Sequence, residues 1–194
     1  MANQIGIIGK GHVGGALERG LKREGHEVRS VGNDPAAVRE VAAWASVVVL
    51  AVPYGGLDAV IKTAGAALEG KTVVDVTNAL NPDMSLALGF STSGAEELQK
   101  KAPKAHVVKA FNTVFAQNMD SGRVGSQILS ALIAGDDMGS KNTVIELAKA
   151  IGFEVVDAGP LRNARLIEPL RYLNIQLGYV LGMGTNIGFK VVRG

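Results

Sequence analysis

The sequence of 194 residues contains no cysteine. This absence excludes disulfide bonds, a thiolate nucleophile and any zinc site built on cysteine. Histidine is scarce as well: His26 and His106 fall at the starts of predicted strands and are interpreted as structural, which leaves His12. No HExxH, GxSxG or clustered metal-ligand spacing occurs in the chain. We therefore predict no catalytic acid, base or nucleophile and no metal site.

Excess charge of one sign and long uncharged apolar runs are also lacking. The formal net charge is +2 and basic and acidic residues are interspersed, so nothing indicates a nucleic-acid surface. The longest apolar stretch, residues 166–184, carries Glu168 and Arg171, which makes it a poor membrane span. The first residues lack the basic leader of a signal peptide. We expect a cytoplasmic protein without nucleic-acid or membrane partners.

Hydrophobic residues make up 47% of the chain and charged residues 20%, which is typical of one compact globular domain. Short runs rich in valine and isoleucine alternate with alanine-rich helical segments. This alternation predicts an α/β fold of the Rossmann type with a doubly wound, mainly parallel sheet. Strands are predicted at residues 4–9, 26–32, 46–53, 71–80, 105–112, within 126–137 and at 153–159. Helices are predicted at residues 12–25, 34–45, 56–70, 94–103, 139–152 and 162–184.

We treat residues 1–194 as one NAD(P)-binding domain with a soft division near residue 120. The first part, residues 1–120, is predicted to be a dinucleotide-binding unit. The second part, residues 121–194, adds a small C-terminal α/β extension, and we expect one sheet to run through both parts.

The segment GKGHVG, residues 9–14, matches the pattern GxGxxG between a predicted strand and a predicted helix. In this setting Gly9 makes the tight turn, Gly11 lets a pyrophosphate approach the backbone, and Gly14 lets the helix pack on the strand. The free N–H groups and positive end of the helix favour the phosphates. We predict dinucleotide binding by the whole loop, whose remaining members are Lys10, His12 and Val13. The side chains of Lys10 and His12 either flank the phosphates or face solvent.

The end of the second predicted strand bears on the choice of dinucleotide. An NAD site usually has an acid there for the ribose 2′-hydroxyl, whereas an NADP site has a residue that accepts the 2′-phosphate. Here the sequence reads Gly32-Asn33, and the acid that follows, Asp34, is interpreted as a helix cap. Asn33 is therefore assigned to a site for NADP(H), and NAD(H) stays open as the alternative.

Polar and aromatic residues follow three further strands, at the edge of the sheet where a doubly wound fold binds its ligand. These candidate cofactor-binding residues are Val52, Pro53, Tyr54, Asn78, Asn112 and Thr113. An asparagine amide there can pair with the carboxamide of a nicotinamide. The alternatives are an exposed loop aromatic for Tyr54 and loop capping for the asparagines.

Several segments together resemble one enzyme family: IGIIGKGHVGGAL, KAFNT, IAGDD, VDAGPLRNARLIEPL and GMGTNIGFKVV. They are similar to the NADPH-dependent reductases of the deazaflavin coenzyme F-420, and to the oxidoreductase domain of metalloreductases. The resemblance covers residues 4–193, and the pair formed by AGDD and DAGPLxxARLxEPL is its most specific part. It implies hydride transfer between NADP(H) and a stacked deazaflavin or flavin, a small-molecule redox partner that the C-terminal extension covers. It also implies a homodimer.

One position departs from this family, which typically has serine or threonine followed by arginine after the second strand. Gly32 and Asn33 supply neither the hydroxyl nor the cation that would clamp a 2′-phosphate. Arg29 and Arg39 are the nearby residues that would compensate.

The C-terminal part of the sequence offers three further interpretations. Asp136 and Asp137 are interpreted first as helix caps rather than ligands of a metal or a ring. Arg162 and Arg165 either meet an acidic tail of the second cofactor or are solvated. One apolar helix face is interpreted first as core and second as a dimer interface; it consists of Leu166, Leu170, Leu173, Leu177 and Leu181.

Two other functions remain open at this point. A dehydrogenase or imine reductase would carry a large helical domain after the Rossmann unit, and about 70 residues follow residue 120. A non-catalytic NAD(P)-binding module would lack a site for a second ring.

Overall fold

The computed structural model describes residues 3–194. Its strands are β1 (Gln4–Ile8), β2 (Glu27–Val31), β3 (Val47–Leu50), β4 (Thr72–Asp75), β5 (His106–Lys109), β6 (Arg123–Val124), β7 (Gln127–Ile128), β8 (Ser130–Gly135) and β9 (Glu154–Asp157). Its α-helices are α1 (His12–Arg23), α2 (Pro35–Trp44), α3 (Leu57–Ala64), α4 (Gly94–Lys101), α5 (Met138–Ile151) and α6 (Ala164–Ile175). A π-helical turn, Gln176–Val180, continues α6.

Seven strands form one sheet in the order β2-β1-β3-β4-β5-β8-β9. All neighbouring strands in it are parallel except β5 and β8, which are antiparallel. The predicted Rossmann-type α/β fold with a mainly parallel sheet is thus confirmed. The sheet includes strands from both sides of residue 120, whereas β6 and β7 form a separate two-stranded ribbon.

Helices cover both faces of the sheet. One hydrophobic cluster unites the strands with α1 and α5, and a second unites them with α2, α3, α4 and the start of α6. Every residue of β3 is buried, and so is every residue of β4. This is why their sequences, VVVL and TVVD, lack the alternation of a strand with one wet face. With both faces of the sheet covered, the carboxyl ends of the strands are the place where a doubly wound fold binds its ligand.

Asp34 and Asp137 are helix caps, as predicted, whereas the prediction that Asp136 caps a helix is wrong. Asp34 is the N-cap of α2, and its carboxylate accepts a hydrogen bond of 2.8 Å from the Ala37 amide. Asp137 is the N-cap of α5 and accepts one of 2.7 Å from the Ser140 amide. Asp136 accepts one of 2.9 Å from the Leu161 amide, so it closes a loop.

The last helix differs from the prediction in length and in its buried side. It begins at Ala164 with Pro169 inside it, and helical structure ends at Val180 rather than residue 184. The interpretation of its leucine face as core is wrong, because Leu166, Leu173 and Leu181 are 62%, 48% and 69% exposed. The buried side instead carries two polar residues with partners across the fold, Glu168 and Asn174.

The C-terminal tail, residues 182–194, runs beside a 3-10 turn (Ala116–Asn118) and β8. The Asn118 amide donates to the carbonyl oxygens of Thr185 and Ile187 at 3.3 and 3.4 Å. The Ser130 amide donates to the Phe189 carbonyl at 3.0 Å. These bonds hold the tail on the body of the protein.

Candidate functional site

Three glycines of the first loop occupy very different surroundings. Gly9 has a φ of +122°, and a Cβ there would lie 2.1 Å from the Ala51 carbonyl oxygen. A Cβ on Gly14 would lie 1.9 Å from the Gly9 carbonyl oxygen, whereas a Cβ on Gly11 would meet nothing within 4 Å. Gly9 and Gly14 are therefore required by the fold itself. Gly11 is required by nothing inside the protein and leaves open space at the loop.

The open space lies at the start of α1. Gly11 is the N-cap, no side chain caps the helix, and no acid occupies its first turn. The first amides of a helix have no partner within it, and they form a positive end. A cradle of this kind suits an anionic pyrophosphate.

A cavity of about 660 Å³ opens beside this loop, and we call it the first cleft. The segments after β1, β3 and β4 line it. Its lining residues are Gly11, His12, Val13, Ala51, Val52, Pro53, Tyr54, Gly55, Val76, Thr77, Asn78, Leu80, Asn81, Pro82 and Met84. Burial raises the pKa of Tyr54, so its phenol stays protonated near neutral pH. The first cleft brings together seven of the residues predicted to bind the cofactor.

A second cavity, of about 890 Å³, shares the loop residues Gly11, His12 and Val13 with the first, and we call it the second cleft. Its other lining residues are Lys10, Gly15, Arg19, Phe115, Ala116, Gln117, Arg171 and Tyr179. Sequence reasoning missed this wall, apart from the three loop residues and Lys10. The signal that could have found it is Arg171, the one cation in the mainly apolar stretch of residues 166–184. Two cavities thus meet at the glycine-rich loop.

The end of β2 presents no free carboxylate. The Gly9 amide donates to the Val31 carbonyl at 2.8 Å, so the loop lies directly against this strand. Asn33 is exposed and lines neither cleft. Arg29 is engaged elsewhere, because its guanidinium stacks 4.2 Å from the centre of the Trp44 ring. Arg39 is exposed on α2.

Asn112 and Thr113 are buried, each 2% exposed, and neither lines either cleft. The Asn112 amide donates to Asn78 Oδ1 at 3.2 Å, so Asn112 holds a residue that does line the first cleft. Within residues 3–194, Asn112 Oδ1 and the Thr77 hydroxyl are shielded from solvent and have no hydrogen-bond partner. A direct contact of Thr113 with the cofactor remains a prediction.

A buried ionic cluster lies under the first cleft residues, and sequence reasoning missed it. Lys109 Nζ is 2.9 Å from Asp75 Oδ2, 2.9 Å from Glu168 Oε1 and 2.6 Å from the Thr77 carbonyl oxygen. Burial alone would lower the pKa of Lys109, but the two carboxylates outweigh it and hold the pKa above its ordinary value. Glu168 also accepts hydrogen bonds from the first amides of α4, Gly94 and Ala95. The cluster therefore joins β4, β5, α4 and α6.

No protein-family model matches the chain. The F-420-dependent NADP reductase of Methanothermobacter marburgensis is 30% identical over 166 residues, which are 79% of this chain and 71% of that protein. The chain belongs to the F-420-dependent NADP reductase family. A crystal structure from Arthrobacter sp. FB24, provisionally assigned as an F-420-dependent NADP-reductase, covers 99% of this chain and 100% of its own, with 32% identity and a TM-score of 0.91.

The F-420-dependent NADP reductase family is one of NADP-dependent oxidoreductases, and the chain is also similar to metalloreductases. Metalloreductase STEAP3 of Rattus norvegicus is 34% identical over 188 residues, which are 89% of this chain. The match spans 37% of STEAP3, so this chain corresponds to about a third of that relative. Among the helices of residues 3–194, none is long and apolar enough to cross a bilayer.

Other residues singled out from the sequence lie outside both clefts of this family member. Arg165 donates to both carboxylate oxygens of Glu96 at 2.6–3.1 Å, so it forms an ion pair between α6 and α4. Arg162 borders a separate, smaller pocket of about 260 Å³. His26 and His106 line neither cleft. In the described part of the chain, no group of three or more acids and histidines is placed to hold a metal ion.

Proposed function

We propose that this protein transfers a hydride between NADP(H) and a deazaflavin, coenzyme F-420, or a flavin. The observation that carries the proposal is the meeting of two clefts at the loop residues Gly11, His12 and Val13. A direct hydride transfer needs two rings held face to face in a space that excludes water. Two adjoining cavities on one glycine-rich loop provide for two such ligands.

The residues of the first cleft fit the dinucleotide. The uncapped start of α1 and the space over Gly11 would hold the pyrophosphate. Pro53, Tyr54 and Asn78 would then fix the nicotinamide end, where Asn112 keeps the Asn78 amide in position. Bound NADPH supplies the hydride, and the acceptor also takes up one proton from water. The protein's own part is to orient the rings, so no acid–base residue is required.

NADP(H) is the proposed dinucleotide, with NAD(H) as the weaker substrate. No free carboxylate follows β2 to repel a 2′-phosphate, since Asp34 is engaged with the Ala37 amide. Lys10 is exposed on the loop that lies against this strand and supplies a cation there. Asn33 would add a neutral hydrogen-bonding amide.

The division near residue 120 and the homodimer belong to the same proposal. The first part of the chain would hold the dinucleotide, and the extension would cover the acceptor, because Arg171 and Tyr179 of the extension line the second cleft. The exposed leucines of α6 would form the contact between two copies.

The test is to mix the purified protein with NADPH and oxidised coenzyme F-420 and to follow the loss of deazaflavin absorbance. The same assay is repeated with NADH, and with FMN as acceptor. We expect rapid reduction with NADPH and slower reduction with NADH. Tight binding of NADPH without reduction of any deazaflavin or flavin would contradict the proposal and favour a non-catalytic module or another substrate.

A further inference from the structure

Arg171 is a largely buried cation in the second cleft, and none of residues 3–194 forms an ion pair with it. Its guanidinium carbon lies 4.2 Å from the centre of the Phe115 ring. Within residues 3–194, its Nε and Nη1 atoms are shielded from solvent and have no hydrogen-bond partner. Burial lowers the pKa of Arg171 well below its ordinary value, to about 10. An uncompensated buried charge is costly, so this position calls for an explanation.

The rest of the second cleft does not neutralise Arg171. Lys10, His12 and Arg19 also line the cavity, and no aspartate or glutamate is among its lining residues. Arg19 pairs with Asp120 at 3.1 Å. The wall is therefore positive and open to an anion from outside the chain.

The local structure holds Arg171 in place rather than leaving it free to move into water. Phe115 is buried, and Tyr179 packs edge-on against it with ring centres 5.7 Å apart. The turn that carries Tyr179 approaches closely because Gly178 has no side chain: a Cβ there would lie 2.8 Å from the Phe115 ring. An arginine fixed on an aromatic ring is prepared to form a paired bond with a phosphate or a carboxylate.

We propose that Arg171 is the anion anchor of the second cleft and binds a phosphate or carboxylate group of the hydride acceptor. This inference rests on the proposed function and deepens it, because it makes the acceptor an anionic aromatic molecule rather than a neutral one. The aromatic rings of Phe115 and Tyr179 form the apolar part of the same wall.

The test compares acceptors that share a ring and differ in the anionic tail, which is the phosphate alone in the flavin pair. FMN is paired with riboflavin, and coenzyme F-420 with its phosphate-free 8-hydroxy-5-deazariboflavin. Dissociation constants are measured by fluorescence with NADP⁺ present. In the wild type we expect the phosphate-bearing member of a pair to bind about 10- to 100-fold more tightly, as a charge-assisted bond implies. In Arg171→Gln this preference should vanish, while binding of the phosphate-free member stays unchanged.

Two further variants control the comparison. Arg162→Gln removes a guanidinium from the segment just before α6 and outside the cleft, so it should keep the wild-type preference. Arg171→Lys keeps the cation but loses the planar fork, so it should retain part of the preference, and it serves if the glutamine variant does not fold.

Three results would overturn the proposal that Arg171 is the anion anchor. The first is equal binding of both members of each pair by the wild type, and the second is an unchanged preference in both Arg171 variants. The third is a loss of NADPH affinity in the Arg171 variants instead, which would make Arg171 a ligand of the dinucleotide. Turnover assays run in parallel separate the two ideas. Turnover that ignores the phosphate refutes the anchor alone, whereas phosphate-dependent binding without turnover refutes the proposed hydride transfer alone.

Discussion

At the scale of single residues, Gly11 and Gly14 are three positions apart and serve different ends. A Cβ on Gly14 would overlap the Gly9 carbonyl, whereas a Cβ on Gly11 would enter empty space at the start of α1. Gly14 is thus a residue of the fold, and Gly11 is a residue of the proposed binding site. The two roles separate in a mutation experiment.

We expect Gly14→Ala to lower the free energy of unfolding by roughly 1–3 kcal/mol, because overpacking must displace the backbone. Gly11→Ala should leave thermal stability unchanged and weaken NADPH binding at least about tenfold, since its methyl group occupies the phosphate position. Thermal unfolding and fluorescence titration with NADPH measure the two effects. Gly89→Ala, at an exposed glycine with open surroundings, is the control and should change neither. Unchanged NADPH binding in Gly11→Ala would argue against the assigned phosphate position.

The buried ionic cluster gives a second prediction at this scale. Lys109→Met leaves Asp75 and Glu168 facing each other without a cation, so we expect a loss of about 3–5 kcal/mol in urea unfolding. Glu168→Gln should lower the free energy of unfolding by less, because the remaining pair of Lys109 and Asp75 has no net charge. Lys149→Met breaks an exposed pair with Glu146 and should change stability by less than about 1 kcal/mol. Equal effects of the two lysine substitutions would refute a structural role for the cluster.

At the scale of elements, one ion pair connects α6 to α4. Arg165 contacts both carboxylate oxygens of Glu96, and Ser93, the N-cap of α4, donates to the same carboxylate at 2.8 Å. The hydrogen bonds from Arg165, followed by that from Ser93, hold the pKa of Glu96 below its ordinary 4.5 despite partial burial. Part of the stability of this contact therefore depends on pH.

A carboxyl group whose pKa is lower in the folded state stabilises the protein above its unfolded pKa and loses this contribution as pH falls. We thus expect the wild type to lose more stability between pH 5 and pH 3 than Glu96→Gln does. Urea unfolding at a series of pH values measures the difference. Arg165→Gln should also reduce the loss of stability between pH 5 and pH 3. The double variant, Glu96→Gln with Arg165→Gln, should show no further reduction. Parallel pH profiles for all four proteins would contradict the role of this pair.

The elements also show how far sequence reasoning reached. The strands and helices around the glycine-rich loop were predictable because turn, cap and periodicity signals are local, as in Asp34 and Gly9. The ends were less so: β3 ends at Leu50 rather than residue 53. The cluster of Lys109 was not predictable, since its partners lie 34 and 59 positions away along the chain. The wall of the second cleft around Arg171 was not predictable either, because it depends on the contact between Arg171 and the distant Phe115.

At the scale of the whole molecule, the exposed leucines of α6, Leu166 and Leu173, form an apolar surface without a partner in the single chain. Burying such side chains between two copies would remove apolar area from water, as in symmetric dimers. The proposed homodimer would bury the leucines of α6 that are exposed in the single chain.

We expect the protein to sediment as a dimer and Leu173→Glu to sediment as a monomer that keeps its fold by circular dichroism, because Leu173 is about half exposed in the single chain. Analytical ultracentrifugation over a range of concentrations is the measurement. Met138→Glu places the same charge at an exposed position on α5 and should leave the dimer intact. A wild type that stays monomeric throughout the range would refute the homodimer.

The tail that hydrogen-bonds to Asn118 and Ser130 has a consequence for how the protein is made. Residues 185–189 leave the ribosome after every residue that lines the two clefts, because they follow all of them in the chain. Synthesis proceeds at about 5–20 residues per second, so the nascent protein passes through a stage with its glycine-rich loop complete and the segment of Phe115 still unsupported. During biosynthesis, the capacity to hold a dinucleotide should therefore arise before the capacity to hold its redox partner.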